Sequence, residues 1–172
     1  MKSSHRFALV SIIAASAALS AFADSSTATA AAATTPAAAT PRDTAAAGTV
    51  ELTANDTMKY SQTEIHAKAG QSVSVTFKNV GTLPKTAMGH NFVLLKSDDL
   101  AAAFIQDSLQ AGATEYIPEN HKSDIIAHTK LLGPGESETV TFTAPSKAGS
   151  YPYFCTFPGH YAVGMKGELI VE

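Results

Sequence analysis

The chain has 172 residues with one cysteine, no tryptophan and a formal net charge of −3 at pH 7. That single cysteine rules out an internal disulfide. No basic run with interleaved aromatic residues is present, which argues against a nucleic-acid partner.

Residues 1–23 begin with Lys2 and Arg6, run apolar from Phe7 to Ala23, and end in Ala21-Phe22-Ala23 before Asp24. This is the layout of a secretory signal peptide, and it predicts a periplasmic protein. The alternative is a permanent anchor facing the periplasm, because the apolar stretch approaches the length of a short span. A membrane partner follows only if the segment stays uncleaved, and the junction has no cysteine to carry a lipid. Removing Lys2 and Arg6 with no acid takes the net charge from −3 to −5.

Residues 24–48 collapse to Ala, Thr, Ser and Pro. Without large apolar side chains such a stretch cannot offset its ordering entropy, so it is expected to be a disordered linker. Residues 49–172 remain as one domain, of about 120 residues, an ordinary size for a single core.

Thr49 to Ala54 alternates Val50 and Leu52 against polar neighbours, the period of a half-buried strand, and Asn55-Asp56 ends it. Ser72 to Asn79 alternates more cleanly, with Val73, Val75 and Phe77 on one face. Gly81 to Pro84 breaks the pattern and opens a loop carrying Met88, Gly89 and His90. An apolar strand, Phe92 to Leu95, leaves that loop.

Between Asp98 and Gln110 the period changes: Leu100, Phe104, Ile105 and Leu109 fall at helical spacing. Ser97 or Asp98 can cap the start of this helix and Gly112 can end it. His121 and His128 flank Ile125-Ile126 in the next connection, and His66 falls on an outward strand face; none of the three is given a ligand role. Gly133-Pro134-Gly135 is a turn, Thr139 to Thr143 a strand with Val140 and Phe142 inward, and Pro145 to Gly149 turns again. Many short strands, one helix and frequent Gly/Pro punctuation predict an all-β Greek-key β-sandwich with one helical insertion.

The last stretch, YPYFCTFPGHYAVGMKGELIVE, carries the chemistry. Cys155, His160 and Met165 have four residues between each successive pair, in one loop between Tyr151–Phe154 and Leu169–Val171. A lone cysteine is more often a small buried apolar residue, and a lone methionine is usually core filler. A Cys–His pair can also be a nucleophile and its base, but no third orienting group stands nearby. Together the three form a soft nitrogen–sulfur donor set suited to one copper ion that cycles between two oxidation states, with a weak axial methionine. Zinc competes, but structural zinc prefers four strong ligands and seldom recruits methionine. A trigonal site needs one more histidine, and His90 is the candidate.

CTFPGHYAVGMKGELIV resembles the copper loop of azurins and their auracyanin relatives. The likeness extends through LPKTAMGHNFVL (Leu83 to Leu94) and IIAHTKLLGPGESETVTF (Ile125 to Phe142), covering the chain from about Val50 onward in the expected order. The resemblance implies a cupredoxin fold and a type 1 (blue) copper electron carrier rather than an enzyme. It implies His90, Cys155 and His160 as equatorial ligands, Met165 as axial ligand, and Gly89 as the residue whose carbonyl approaches from the opposite side. It also implies that Asn91 ties the two ligand loops together, and that the amides of Asn91 and Phe157 donate to the cysteine sulfur. Redox partner proteins are expected to dock near His160, around an apolar rim of Leu83, Ala87 and Met88 from one loop and Phe157, Pro158, Ala162 and Val163 from the other.

Three departures stand out. Azurins proper have one residue fewer between the loop histidine and methionine, and this spacing is more like auracyanins and plastocyanins. Azurins carry a disulfide that a chain with one cysteine lacks. Asn79 stands where many azurins have a titrating histidine. An enzyme of the multicopper oxidase or nitrite reductase kind would need a second copper cluster, and His66, His121 and His128 form no adjacent His-x-His pattern. The other alternative, a copper chaperone or storage protein, would favour clustered methionines or cysteines, whereas the four methionines are scattered.

Overall fold

Alternation in the strands translates directly into two facing sheets in the computed structural model, which describes residues 48–172. The expected signal peptide and residues 24–47 of the expected linker lie outside the described residues. The strands are β1 (Thr49–Ala54), β2 (Glu64–Ala67), β3 (Ser72–Asn79), β4 (Val93–Leu95), β5 (Ile125–His128), β6 (Ser137–Thr143), β7 (Gly149–Phe154) and β8 (Lys166–Val171). A three-stranded sheet runs β1-β3-β6 and a five-stranded sheet runs β2-β8-β7-β4-β5. Each sheet is mixed: β1 is parallel to β3 and β2 is parallel to β8, while the other neighbours are antiparallel.

The inward residues of β1 and β3 (Val50, Leu52, Val73, Val75, Phe77) pack against Ile65, Leu94, Tyr153, Leu169 and Val171 from the other sheet. This is the sandwich core that period-two patterning predicts. In β4, however, Val93, Leu94 and Leu95 are all buried. Leu94 faces the sandwich, whereas Val93 and Leu95 join Phe154, Ala101, Phe104 and Ile117 in a second cluster on the outer face. A helix covers that face, so this strand reads as an unbroken apolar run.

The helical insertion is shorter than its periodicity predicts. A 3₁₀ turn at Asp98–Leu100 leads into the helix Ala101–Ser108. Ser97 supplies no side-chain cap, and Gly112 opens a further 3₁₀ turn rather than closing the helix. Ser108 Oγ donates to the carbonyls of Phe104 (2.9 Å) and Ile105 (3.0 Å), a local competition that accompanies helix ends. Leu109, expected on the buried face, is 45 % exposed because the helix has already ended. The connection holding His128 is itself the edge strand β5, paired with β4.

Candidate metal centre

Strand register brings the two distant loops together. β4 and β7 pair antiparallel with Val93 opposite Phe154, so the residues just before β4 and just after β7 emerge at one end of the sheet. Those residues are His90-Asn91 and Cys155-Thr156. His90 is fixed by a two-way backbone bridge to Leu132, its amide donating at 3.1 Å and its carbonyl accepting at 2.7 Å. The second loop closes on itself: the Met165 amide donates to the His160 carbonyl (2.9 Å), and the Cys155 amide donates to the Met165 carbonyl (3.2 Å). Gly159, at φ +88, supplies the left-handed turn that brings His160 back over Cys155.

The ring nitrogens and the sulfur converge. His90 Nδ1 and His160 Nδ1 are 3.2 Å apart, and Cys155 Sγ lies 3.4 Å from His160 Nδ1. One donor atom from each of His90, Cys155 and His160 falls within 4.8 Å of the other two, so the three are positioned to bind a single metal ion. Cys155 and His90 are wholly buried and His160 is 2 % exposed. Met165 is also wholly buried, next to this group in the loop. Among the described residues no other group of three or more His, Cys, Asp or Glu side chains converges in this way.

Electrostatics fit a cation at this point. Burial lowers the pKa of His90, opposed by the Asn55 carbonyl and the Asp56 carboxylate. Its Nε2 is buried without a well-formed hydrogen bond, the Asn55 carbonyl acting on the ring too loosely to count as one. His160 is lowered to about 4, first by burial and then by His90. Burial pushes the Cys155 thiol up to about 12, with the amides of Asn91 and Phe157 pulling it back. Two neutral imidazoles and a thiol, dry and mutually in contact, leave a positive ion as the species that would favour the thiolate. The donor set is that of a trigonal copper site.

The sequence profile described as copper binding proteins, plastocyanin/azurin family, matches residues 46–172. The chain belongs to the plastocyanin/azurin family. It is 40 % identical over 124 residues to Azurin-1 of Alcaligenes xylosoxydans xylosoxydans, covering 70 % of this chain and 95 % of that protein. The solved structure of dithionite-reduced auracyanin from Roseiflexus castenholzii is similar, with a TM-score of 0.65 at 41 % identity, covering 72 % of this chain and 96 % of that one. Auracyanin A of Chloroflexus aurantiacus, described as a "blue" copper protein, gives a TM-score of 0.64 at 38 % identity, covering 72 % and 98 %.

In this plastocyanin/azurin-family chain, polar contacts, some buried and some exposed, hold the loops in place. Asn91 does tie the two loops together, through Thr156, and Tyr60 Oη donates to the Asn91 carbonyl at 2.6 Å. Asp56 accepts the Thr82 amide (2.9 Å) and hydroxyl (2.8 Å), restraining the loop that leads to His90. Lys59 Nζ donates to the Val163 carbonyl in the other loop. Asn79 is buried, donates to the Leu132 carbonyl (3.0 Å) and accepts the Gly81 amide (2.8 Å). It therefore keeps a polar link at that position with no proton to titrate.

Sequence reasoning passed over Asp56, Lys59, Tyr60 and Thr156 as loop partners, since nothing in their spacing marks them. The outer histidines stay out of the site. His66 lies beside Glu64 (3.8 Å) and Glu172 (3.6 Å), and His121 bridges Asp124 (2.8 Å) and Asp107 (3.1 Å). His128 sits exposed at the end of β5. Around the centre, Leu83 and Val163 are 43 % and 49 % exposed, and Ala87, Pro158 and Ala162 are exposed as well. Phe157 lies against the His160 ring, centroids 4.8 Å apart.

Proposed function

We propose that this chain is a blue copper electron carrier in which His90, Cys155 and His160 are the equatorial ligands. Met165 would supply a weak thioether donor to the same ion, and the Gly89 carbonyl would approach it from the other side. One copper ion, alternating between Cu(I) and Cu(II), supplies the one-electron couple. The observation that carries this reading is the dry convergence of two imidazole Nδ1 atoms and one thiol at the mouths of β4 and β7.

The protein's part is to hold those donors still. Asn91 and Thr156 lock one loop to the other, and both ligand loops leave neighbouring strands. The amides of Asn91 and Phe157 act on the Cys155 sulfur and stabilise its thiolate form. A donor set that need not rearrange lowers the cost of moving an electron. Phe157 and the wall around His160 keep water out, while the apolar rim of Leu83, Ala87, Pro158, Ala162 and Val163 offers redox partners a small docking face. Such faces suit encounters that must form and dissociate quickly. The assignment is electron transfer rather than catalysis, in keeping with a single copper ion that supplies a one-electron couple.

Residues 1–23 are assigned as a cleaved signal peptide, 24–48 as a linker and 49–172 as the copper domain. This layout supports a periplasmic location, with a membrane-anchored form facing the periplasm as the alternative. The visible spectrum of the copper-loaded protein tests the function. An intense blue absorption is expected from the Cu(II)–thiolate pair, and Cys155→Ser removes it even where copper still binds through the two histidines. A Ser variant that stayed deep blue would refute the site.

A further inference from the structure

Gly89 is wedged between two residues. A Cβ at this position would meet the Lys85 carbonyl oxygen at 2.7 Å and the Leu131 Cδ2 at 2.8 Å. Those same two residues are held from outside by one carboxylate. Glu115 Oε1 accepts from Lys85 Nζ at 2.8 Å, and Glu115 Oε2 accepts from the Leu131 amide at 3.0 Å.

We infer that Glu115 is a positioning residue for the metal centre, clamping Lys85 and Leu131 onto Gly89 and so fixing the Gly89–His90 segment. The inference rests on the copper reading above for its consequence, though not for its geometry. Leu131 is followed by Leu132, whose backbone forms the two-way bridge to His90. Holding the Leu131 amide therefore also steadies the strand partner of His90.

The simplest competing account is an incidental surface ion pair. Lys85 and Glu115 side chains are 38 % and 42 % exposed, and such a pair contributes little through charge alone. The second bond is different in kind. Leu131 is only 5 % exposed, so its N–H has poor access to water if the carboxylate is removed. The backbone around Glu115 supports a built contact as well. Glu115 (φ 55) and Tyr116 (φ 65) are consecutive non-glycine residues in the left-handed region, an arrangement that persists only where the surroundings impose it. While Glu115 grips the His90 side, the Tyr116 ring packs edge-on against Phe157, centroids 5.3 Å apart, on the His160 side. The end of the helical insertion thus touches both ligand loops.

Amide hydrogen exchange of the metal-free protein, read by NMR, tests the clamp without any copper. Glu115→Ala is expected to accelerate exchange at His90 and Leu132 by about tenfold or more, with β3 and β6 unchanged. Glu115→Gln keeps an acceptor for the Leu131 amide but releases Lys85, and gives a smaller rise at the same two amides. Glu119→Ala, which removes a comparable exposed pair with Lys122, leaves both amides at the wild-type rate. No local acceleration in either Glu115 variant, or an equal rise across every strand, overturns the proposal. The copper-loaded forms separate the two readings: a reduction potential raised more in Glu115→Ala than in Glu115→Gln, which loses the same charge, supports a Gly89 carbonyl that faces the ion. Local acceleration with an unchanged potential and spectrum keeps the clamp and rejects the carbonyl contact.

Discussion

Asn91 and Thr156 exchange two hydrogen bonds across the two ligand loops: Asn91 Nδ2 donates to Thr156 Oγ1 at 2.7 Å, and the Thr156 amide donates to Asn91 Oδ1 at 2.9 Å. Both residues are buried, at 0 % and 2 % exposure, so neither can exchange its partner for water. The pair stands directly after His90 and directly after Cys155 in the chain, which makes it the shortest polar link between the two ligand-bearing segments.

Asn91→Ala should therefore destabilise the metal-free protein by about 2–4 kcal/mol, since it leaves a buried amide and hydroxyl unpaired. Urea unfolding of wild type and variant measures this directly. The copper-loaded variant should also show a broadened visible band, because His90 and Cys155 no longer share one rigid frame. A loss below half a kilocalorie, roughly the level of a surface change, would mean that the loops are held elsewhere.

Met165 is wholly buried, and its main chain is pinned at both the amide and the carbonyl. Met165→Leu conserves volume and should keep the loop in place. With the weak thioether gone, copper and colour should be retained while the reduction potential rises, because Cu(II) loses more than Cu(I) does. Voltammetry decides it. A Leu variant that binds no copper would make Met165 a principal ligand.

Metal uptake should depend on pH with a definite sign. The free site holds a thiol at about 12 and an imidazole at about 4, with His90 also lowered. Near neutral pH all three groups are uncharged, and a bound thiolate requires the loss of one proton. Apparent affinity for a divalent ion should then rise about tenfold per pH unit between about pH 6 and about pH 9, and fall more steeply where the histidines become protonated. Zinc titrated calorimetrically in buffers of different ionisation heat should report one proton released per ion. Uptake without proton release would show that the thiol is already ionised in the free protein.

Ala162 is exposed, next to Val163 on the rim and two residues beyond His160. Ala162→Glu adds charge and bulk there without touching a donor. The visible spectrum should be preserved and the potential little changed, while electron self-exchange and partner reduction slow by about tenfold or more, in line with a disturbed docking face. Stopped-flow kinetics at low and high salt, beside voltammetry, provides the check. Wild-type rates at both salt levels would move electron exit to another face.

Local chemistry was open to reading from the residues alone. The alternation of Val73, Val75 and Phe77 marked β3 from Ser72 to Asn79, and the spacing of Cys155, His160 and Met165 marked a soft donor loop. Both are short-range patterns, written within a few residues by strand geometry and by donor type. The helix gave a weaker outcome: its apolar period continued to Leu109, but the chain ended the helix at Ser108, since propensity and period do not fix where tertiary packing stops.

Long-range partnerships left no such trace in the residue pattern, and only the family resemblance pointed to Asn91 as the tie between the loops. Tyr60 reaches Asn91 across 31 positions, Asn91 reaches Thr156 across 65, and Glu115 joins Lys85 to Leu131 from just beyond the helical insertion. His90 alone was an ordinary loop histidine, and it became part of a centre because Val93 pairs with Phe154 and sets the mouths of β4 and β7 side by side. A strand's own pattern says which face is buried, but its register against a distant strand is settled only when both sheets pack, and that register is what brings two imidazoles and a thiol to one point.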